Sequence, residues 1–256
     1  GYYKERFGNK VMFIPEKYQN DETIDFSVRQ RSYIVDYCNQ KGIKSHWDLD
    51  DNISGFTFHN RLQDKPIKSK TPLHYIEYIH DKYNFTMSGF SEFGKNLPVR
   101  SQETREKNMF SRVFSCMLIN NKNLKSKNLN FIGKYNEDLV LNLNCLSNGL
   151  NIFRTHQFKI IKPTTSNTDK RKSMKGGNSE VHKDGGIKNR VDYVIKLFPN
   201  YVKECKRNKK SYDVHFEVNY KHKDFKHNID NYNVSKKERL TTNYKYFNKY
   251  KFREVM

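Results

Sequence analysis

No stretch of the chain reaches the roughly 18 consecutive apolar residues that a membrane span needs, and no secretory leader is legible. The four cysteines, Cys38, Cys116, Cys145 and Cys205, stand far apart and form no CxxC pair. Zinc-site spacing is therefore absent. Each lies in an apolar or amphipathic context, which predicts buried free thiols. Reduced thiols fit a cytoplasmic protein. No internal repeat is visible, and apolar residues make up only 35% of the chain, less than a globular protein usually carries.

Aromatic residues offset that shortage. They form 14% of the sequence, and Tyr and Phe supply 35 of the 36. Such a chain can bury a core, which excludes wholesale disorder. Its 256 residues suffice for one large domain, or one domain with an appendage. Charge is the strongest compositional feature: 48 Lys plus Arg against 28 Asp plus Glu give a formal net charge of +20. A field of that size attracts polyanions, nucleic acid foremost, although charge alone does not separate DNA, RNA and anionic lipid.

Hydrophobic periodicity divides the chain into alternating strands and helices. Val11–Ile14, stopped by Pro15, reads as a short buried strand. Thr23–Gln40 reads as a helix with Gly42 as its stop, and Ile43–Asp50 as a strand running into an acidic turn. Thr71–Tyr83 is a predicted helix with Pro72 in its first turn, followed by strands at Asn84–Phe90 and Val113–Ile119. Asn120-Asn121 reads as a turn. Tyr135–Ser147 is a helix opened by Asn136, with strand-like Asn130–Gly133 before it and strands at Leu150–Phe153 and Phe158–Ile161 after it. Phe90–Lys107 and the glycine-bearing Ser166–Gly186 read as loops, the latter long enough to suggest a working one. Lys188–Phe198 is a last helix before a Lys-, Asn- and Tyr-rich tail. In that tail, His215–Tyr220 alternates like a strand and Lys236–Tyr250 resembles a basic helix. The pattern predicts an α/β domain over 1–200 and a basic aromatic accessory segment over 201–256.

Two acidic motifs stand out. Asp48, Asp50 and Asp51 crowd the end of the strand containing Trp47. In an α/β sheet, sites lie outside the carboxyl ends of strands. Mutually repelling carboxylates there suit a hard divalent cation, Mg²⁺ or Mn²⁺, although a solvated acidic turn explains them equally well. Glu137-Asp138 opens the Leu-rich helix, where the helix dipole favours acids with or without a catalytic duty.

The pair of motifs resembles a known family. Trp47-Asp48-Leu49-Asp50-Asp51-Asn52-Ile53 is similar to the metal-binding strand end of GT-A fold glycosyltransferases. Phe131-Ile132-Gly133-Lys134-Tyr135-Asn136-Glu137-Asp138-Leu139 is similar to their second motif, ending in Glu-Asp. Over residues 24–200 the order and separation resemble the TET-associated glycosyltransferases, phage and protist enzymes that glycosylate hydroxymethylated pyrimidines in DNA. The base J glucosyltransferase belongs to the same broad group.

The resemblance implies a GT-A-like mixed sheet with helices on both faces. It also implies a nucleoside diphosphate sugar donor such as a UDP-sugar, Mn²⁺ or Mg²⁺, and an acceptor in modified DNA. The setting would be the host cytoplasm if the chain is phage-encoded. Asp50 and Asp51 match the metal-binding acids, Asp48 extends the cluster towards the donor, and Asn52 stands where a third acid is common. His182 is a candidate late metal ligand. Asp138, with Glu137 as the alternative, matches the catalytic carboxylate of inverting enzymes. Arg29 and Arg31 match the donor-side basic pair, where relatives carry Arg-Asn; Lys175, Gly176 and Gly177 match the loop that covers the donor. GT-A domains begin with a strand and loop that hold the nucleotide base. Only Val11–Ile14 precedes Arg29 here, so no residue is assigned to the base.

Lys206–Lys210, Lys221, Lys223 and Lys226, interleaved with Tyr220, Phe225, Tyr244, Tyr246 and Phe247, suit phosphate contact and base stacking, or else a solvated basic face packed by its own aromatics. Two rival functions remain open at the level of sequence: a non-catalytic basic nucleic-acid-binding protein, and a metal-dependent nuclease that uses the same acids.

Overall fold

The computed structural model describes residues 2–18, 26–60, 63–67, 70–92, 111–162, 186–206 and 214–225. A short helix α1, Tyr2–Phe7, and two single 3-10 turns precede the main body. Helix α2, Phe26–Gln40, leads into strand β1, Ser45–Leu49. A hairpin follows, β2 at Gly55–Asn60 and β3 at Gln63–Ile67, and then helix α3, Thr71–Lys82. Strands β4, Met87–Glu92, and β5, Cys116–Asn120, lead to the short helix α4, Asn121–Ser126, and to α5, Glu137–Ser147. Strand β6, Ile152–Ile161, helix α6, Gly186–Leu197, and a hairpin of β7, Val202–Lys206, with β8, Val214–Val218, complete the described chain.

The first six strands form one sheet in the order β1-β5-β4-β6-β2-β3. Only β4 and β6 pair in parallel; the other neighbours are antiparallel. Strands β1, β4 and β6 therefore run in one direction, and their carboxyl ends meet the amino end of β5 along one edge. Alternation along β5 sets the two faces. Met117 and Ile119 join Val28 and Val35 of α2, Leu139 and Leu143 of α5, and Val194 of α6 in one core cluster. Cys116 and Leu118 join Tyr75, Ile76 and Ile79 of α3, with Phe90, Phe153 and Phe158, in the other. This is the mixed sheet with helices on both faces that a GT-A-like domain calls for.

Several expectations change. Val11–Ile14 is not a buried strand: it is irregular, with Met12 and Phe13 exposed and no strand paired with it among the described residues. Asn130–Gly133 is likewise irregular, although Phe131 is buried. Asn120-Asn121 does not end in a bare turn, because the Asn120 side chain accepts a bond from the Asn123 amide and caps α4. The two strands expected around Arg154-Thr155-His156-Gln157 are one strand, β6. Its polar centre accommodates a register shift opposite Phe90 and Ser91. There Ser91 Oγ donates to the Thr155 carbonyl and lies 2.5 Å from His156 Nδ1. The β2–β3 hairpin escapes a reading by alternation because Pro66 sits in β3, and proline is tolerated there because β3 is the sheet's edge. Of the tail, residues 201–206 and 214–225 pack onto the main body: Val202 and Phe225 are buried in the same cluster as Val194. Phe225 thus turns inward as a core residue, and Tyr220 packs partly buried against the same cluster. The expected Lys236–Tyr250 helix lies outside the described residues, as do most of the loops expected at Phe90–Lys107 and Ser166–Gly186. Phe90 to Glu92 belong to β4.

All four cysteines are free, and three are buried. Burial pushes the Cys116 thiol up to about 12, with Asp48 and Asp50 adding to the effect, so it is a packing residue and not a nucleophile. His80 is fully buried, with Nδ1 2.8 Å from Ser88 Oγ. Burial, against a smaller opposing pull from Asp81, lowers its pKa from 6.5 to about 4. In the unfolded chain it takes up a proton below pH 6.5; in the fold it does so only near pH 4. Stability from this group is thus fully present above 6.5 and is lost as pH falls towards 4, about 3 kcal/mol in all. Urea unfolding of wild type and His80→Gln at pH 7.5 and 4.5 should show a shallower pH dependence in the variant.

Candidate functional site

The acidic residues of β1 and α5 are brought together by one side chain from α2. Asp48 and Asp50 sit two residues apart, so their side chains share the sheet face that α2 covers. Arg31 reaches down from α2 and meets three carboxylates: Nε lies 2.8 Å from Asp48 Oδ2, Nη2 3.0 Å from Asp50 Oδ1 and Nη1 2.5 Å from Glu137 Oε1. The Asp48 contact is an ion pair set at an angle too oblique for a hydrogen bond. The Phe131 ring lies 5.7 Å from the guanidinium carbon. Burial is the largest influence on Arg31 and works against its charge, yet Asp48, Glu137 and Asp50 together hold its pKa above the ordinary value. Burial likewise raises Asp48, and Arg31 opposes that rise.

The far side of Asp50 is closed by a second cation. Lys162, just past the end of β6, donates to Asp50 Oδ2 at 2.9 Å and to Ser115 Oγ at 2.8 Å. The Asp50 amide donates to the Ser115 carbonyl at 2.7 Å, with Ser115 in the left-handed region at φ 62°. Three strand ends therefore converge on one carboxylate. Asp51 is exposed in the turn that follows. Asn52 turns Oδ1 inward, where that atom is buried without a hydrogen-bond partner among the described residues.

The second acidic motif is held differently. Asn136, at φ 52°, turns the chain into α5 with no side-chain cap. Gly133, at φ 96°, passes so close to the Tyr193 hydroxyl that no Cβ fits there. Asp138 in the first turn of α5 is buried, and Arg112 grips it with a fork: Nε to Oδ2 at 3.0 Å, Nη2 to Oδ1 at 2.6 Å and to Oδ2 at 2.7 Å. The Leu139 amide also donates to Oδ1. One turn further into α5, the Asn142 side chain clasps the Val113 main chain, accepting from its amide and donating to its carbonyl, both at 2.9 Å. This holds the segment that carries Arg112 against the helix. The Arg112 carbonyl accepts a bond from Arg154 Nη1 at 3.2 Å.

Of the residues singled out by sequence, the fold thus gathers Arg31, Asp48, Asp50, Glu137 and Asp138 at one sheet edge. Asp51 and Asn52 adjoin them in the turn. Arg29 lies two residues earlier on α2, about 200° round the helix from Arg31. Lys175, Gly176, Gly177 and His182 lie outside the described residues. Among the described residues no group of three His, Cys, Asp or Glu side chains is spaced to share a metal ion. Arg112, Ser115, Arg154 and Lys162 were not anticipated. For Lys162 a signal existed: it is a basic residue at the carboxyl end of an apolar strand, the same position rule that marked Asp50.

Residues 1–171, two-thirds of the chain, match the TET-Associated Glycosyltransferase family. The chain belongs to that family. It is therefore a glycosyltransferase, and the gathered acidic edge is the part of this TET-associated glycosyltransferase where its two motifs meet. Neither the curated proteins nor the solved structures compared with it gave a match. No described helix of the enzyme is long and apolar enough to cross a membrane.

Replacing Arg31 leaves three carboxylates facing one another in a partly dry site. Arg31→Met should cost about 3–5 kcal/mol, the usual penalty for stranding buried charge. Arg31→Lys should also weaken the fold, because an ammonium cannot serve three directions in one plane. Chemical denaturation of both variants against wild type measures the loss.

Proposed function

We propose that this glycosyltransferase moves a sugar from a nucleoside diphosphate sugar to the hydroxyl of a hydroxymethylated pyrimidine in DNA, with inversion at the sugar carbon. The observation that carries the reading is the single guanidinium of Arg31 joining the β1 acids to the head of α5, so that donor-side and base-side carboxylates border one site. Asp138 is the general base. Each of its oxygens already accepts two bonds, Oδ1 from Arg112 and the Leu139 amide and Oδ2 twice from Arg112, so taking the acceptor's proton loosens one of them. The acceptor oxygen gives its proton to Asp138 and bonds to the anomeric carbon, while the bond from that carbon to the diphosphate breaks. Glu137, more exposed and tied to Arg31, is the alternative base.

The donor set at the end of β1 fits a hard divalent cation, Mn²⁺ or Mg²⁺: carboxylates at Asp50 and Asp51, and the buried, unpartnered Oδ1 of Asn52. Held by these residues, such a cation would supply positive charge to balance the leaving diphosphate. Arg31 and Lys162 already hold both oxygens of Asp50, so a metal must displace at least one of them. His182, Lys175, Gly176 and Gly177 remain the candidate late ligand and donor cover. The net charge of +20 and the exposed Lys221 and Lys223 support a DNA acceptor.

Incubation with Mn²⁺, a panel of nucleotide sugars and hydroxymethylated DNA, followed by mass spectrometry of the nucleosides, should show a hexose-sized gain on one base. Asp138→Asn should keep donor binding and lose turnover by at least ~100-fold; full activity of that variant sinks the base assignment. In calorimetry, Lys162→Met should bind Mn²⁺ roughly tenfold more tightly than wild type, because a competing charge has left Asp50. Asp50→Ala should bind none.

A further inference from the structure

One partly buried cation at this edge has no acid to answer it. Ile152 of β6 belongs to the core cluster of α5 and Phe153 to the opposite one, so Arg154 shares the α5 face of the sheet. It stands beside Gly89 of β4 in parallel register. A Cβ on Gly89 would run into Val113 and the Cys116 carbonyl, so its absence lets the segment that follows Arg112 lie directly on the sheet. There Arg154 Nη1 donates to the Arg112 carbonyl at 3.2 Å. Its Nε is buried with no hydrogen-bond partner, and no carboxylate among the described residues lies within ion-pair distance of it.

The cations around it are matched. Arg31 meets Asp48, Asp50 and Glu137, Lys162 meets Asp50, and Arg112 forks onto Asp138. Arg154 has a like charge for a neighbour instead: burial lowers its pKa from the ordinary value, and Arg112 pushes the same way. Tyr220 opposes them only as a phenolate, and burial holds its phenol above the ordinary value. A bond to one carbonyl needs no full charge; a neutral amide would make it. A guanidinium kept in a place so dry and so cationic is costly until an anion completes it. The place is open to one. The Arg112 side chain is 32% exposed while it grips Asp138, and its Nη1 takes no part in that grip.

We propose that Arg154, with Arg112 beside it, seats a phosphate group next to Asp138. The planar fork of arginine matches a phosphate's oxygens, which is why two neighbouring guanidinium groups suit this ligand better than a carboxylate-free lysine would. Assigning that phosphate to the donor diphosphate or to the DNA backbone rests on the function proposed above; the unanswered cation does not.

The full-length protein in EDTA, where no metal competes, is titrated by calorimetry with inorganic pyrophosphate and, separately, with a hydroxymethylated DNA duplex. Arg154→Met should weaken at least one of the two by about tenfold. A loss with pyrophosphate assigns a phosphate of the donor. A loss with DNA, with a salt slope shallower by about one, assigns the acceptor backbone. Arg154→Lys should fall between Arg154→Met and wild type. Lys122→Met removes the same charge from an exposed position on α4 and should bind both probes as wild type does. With no probe present, Arg154→Met should melt close to wild type, since no carboxylate loses its cation. Equal binding of both probes by wild type and Arg154→Met overturns the proposal, as does an equal loss in Lys122→Met or a wild type that binds neither probe. If wild type transfers no sugar, the function reading fails, and the two titrations, made without turnover, still decide whether Arg154 holds phosphate.

Discussion

Four carboxylates cannot share one sheet edge unless cations are built in among them, and Arg31 meets most of that demand. Its planar fork touches Asp48, Asp50 and Glu137 at once, and so fixes the distance between β1 and α5. A Lys would satisfy one direction; the guanidinium satisfies three. Lys162 and Arg112 complete the balance, so four carboxylates face three cations in a protein whose overall charge is +20. The excess positive charge lies elsewhere on the chain. The site itself is close to neutral, unlike the chain as a whole.

The same ion pairs tie sequence-distant pieces into one unit. Asp50 meets Lys162 just past β6 and the Ser115 backbone before β5, and Asp138 meets Arg112, whose neighbour Val113 is clasped by Asn142 of α5. Polar bonds of this kind set positions that apolar packing leaves loose, because each has a direction as well as a distance. The two cores behind them, one on each face of the sheet, supply the bulk of the burial. The ionic edge decides where the strands end and which way their last side chains point.

The acids were legible in the sequence because acids are scarce in this chain and these fall at the ends of periodic segments. Their cations were not, for the converse reason: with 48 Lys and Arg, neither Arg112 nor Lys162 stands out by type. Helices α2, α3, α5 and α6 declare themselves through long apolar spacing and helix-end residues. The elements that escaped are short or interrupted. Strand β3 carries Pro66, and the centre of β6 is polar because its bulge turns His156 and Thr155 onto Ser91. Val11–Ile14 misled for a physical reason too: four apolar residues make a strand only if a neighbour offers an edge. Nor did pattern alone tell that Tyr220 packs against the core cluster, since alternation gives two faces without saying which is covered.

The closure of Asp50 by Lys162 spans 112 residues of sequence, and that of Glu137 by Arg31 spans 106. A ribosome adding about 5–20 residues per second needs roughly 6–20 seconds to cover the longer interval. For that time Asp48 and Asp50 are already outside the ribosome with Arg31 but without Lys162, and β5, on which β1 is laid, arrives only part-way through. The nascent edge is then acidic and open, and it is sealed only when β6 threads in beside β4. Birth order therefore makes the centre of the site among the last parts of the sheet to become dry.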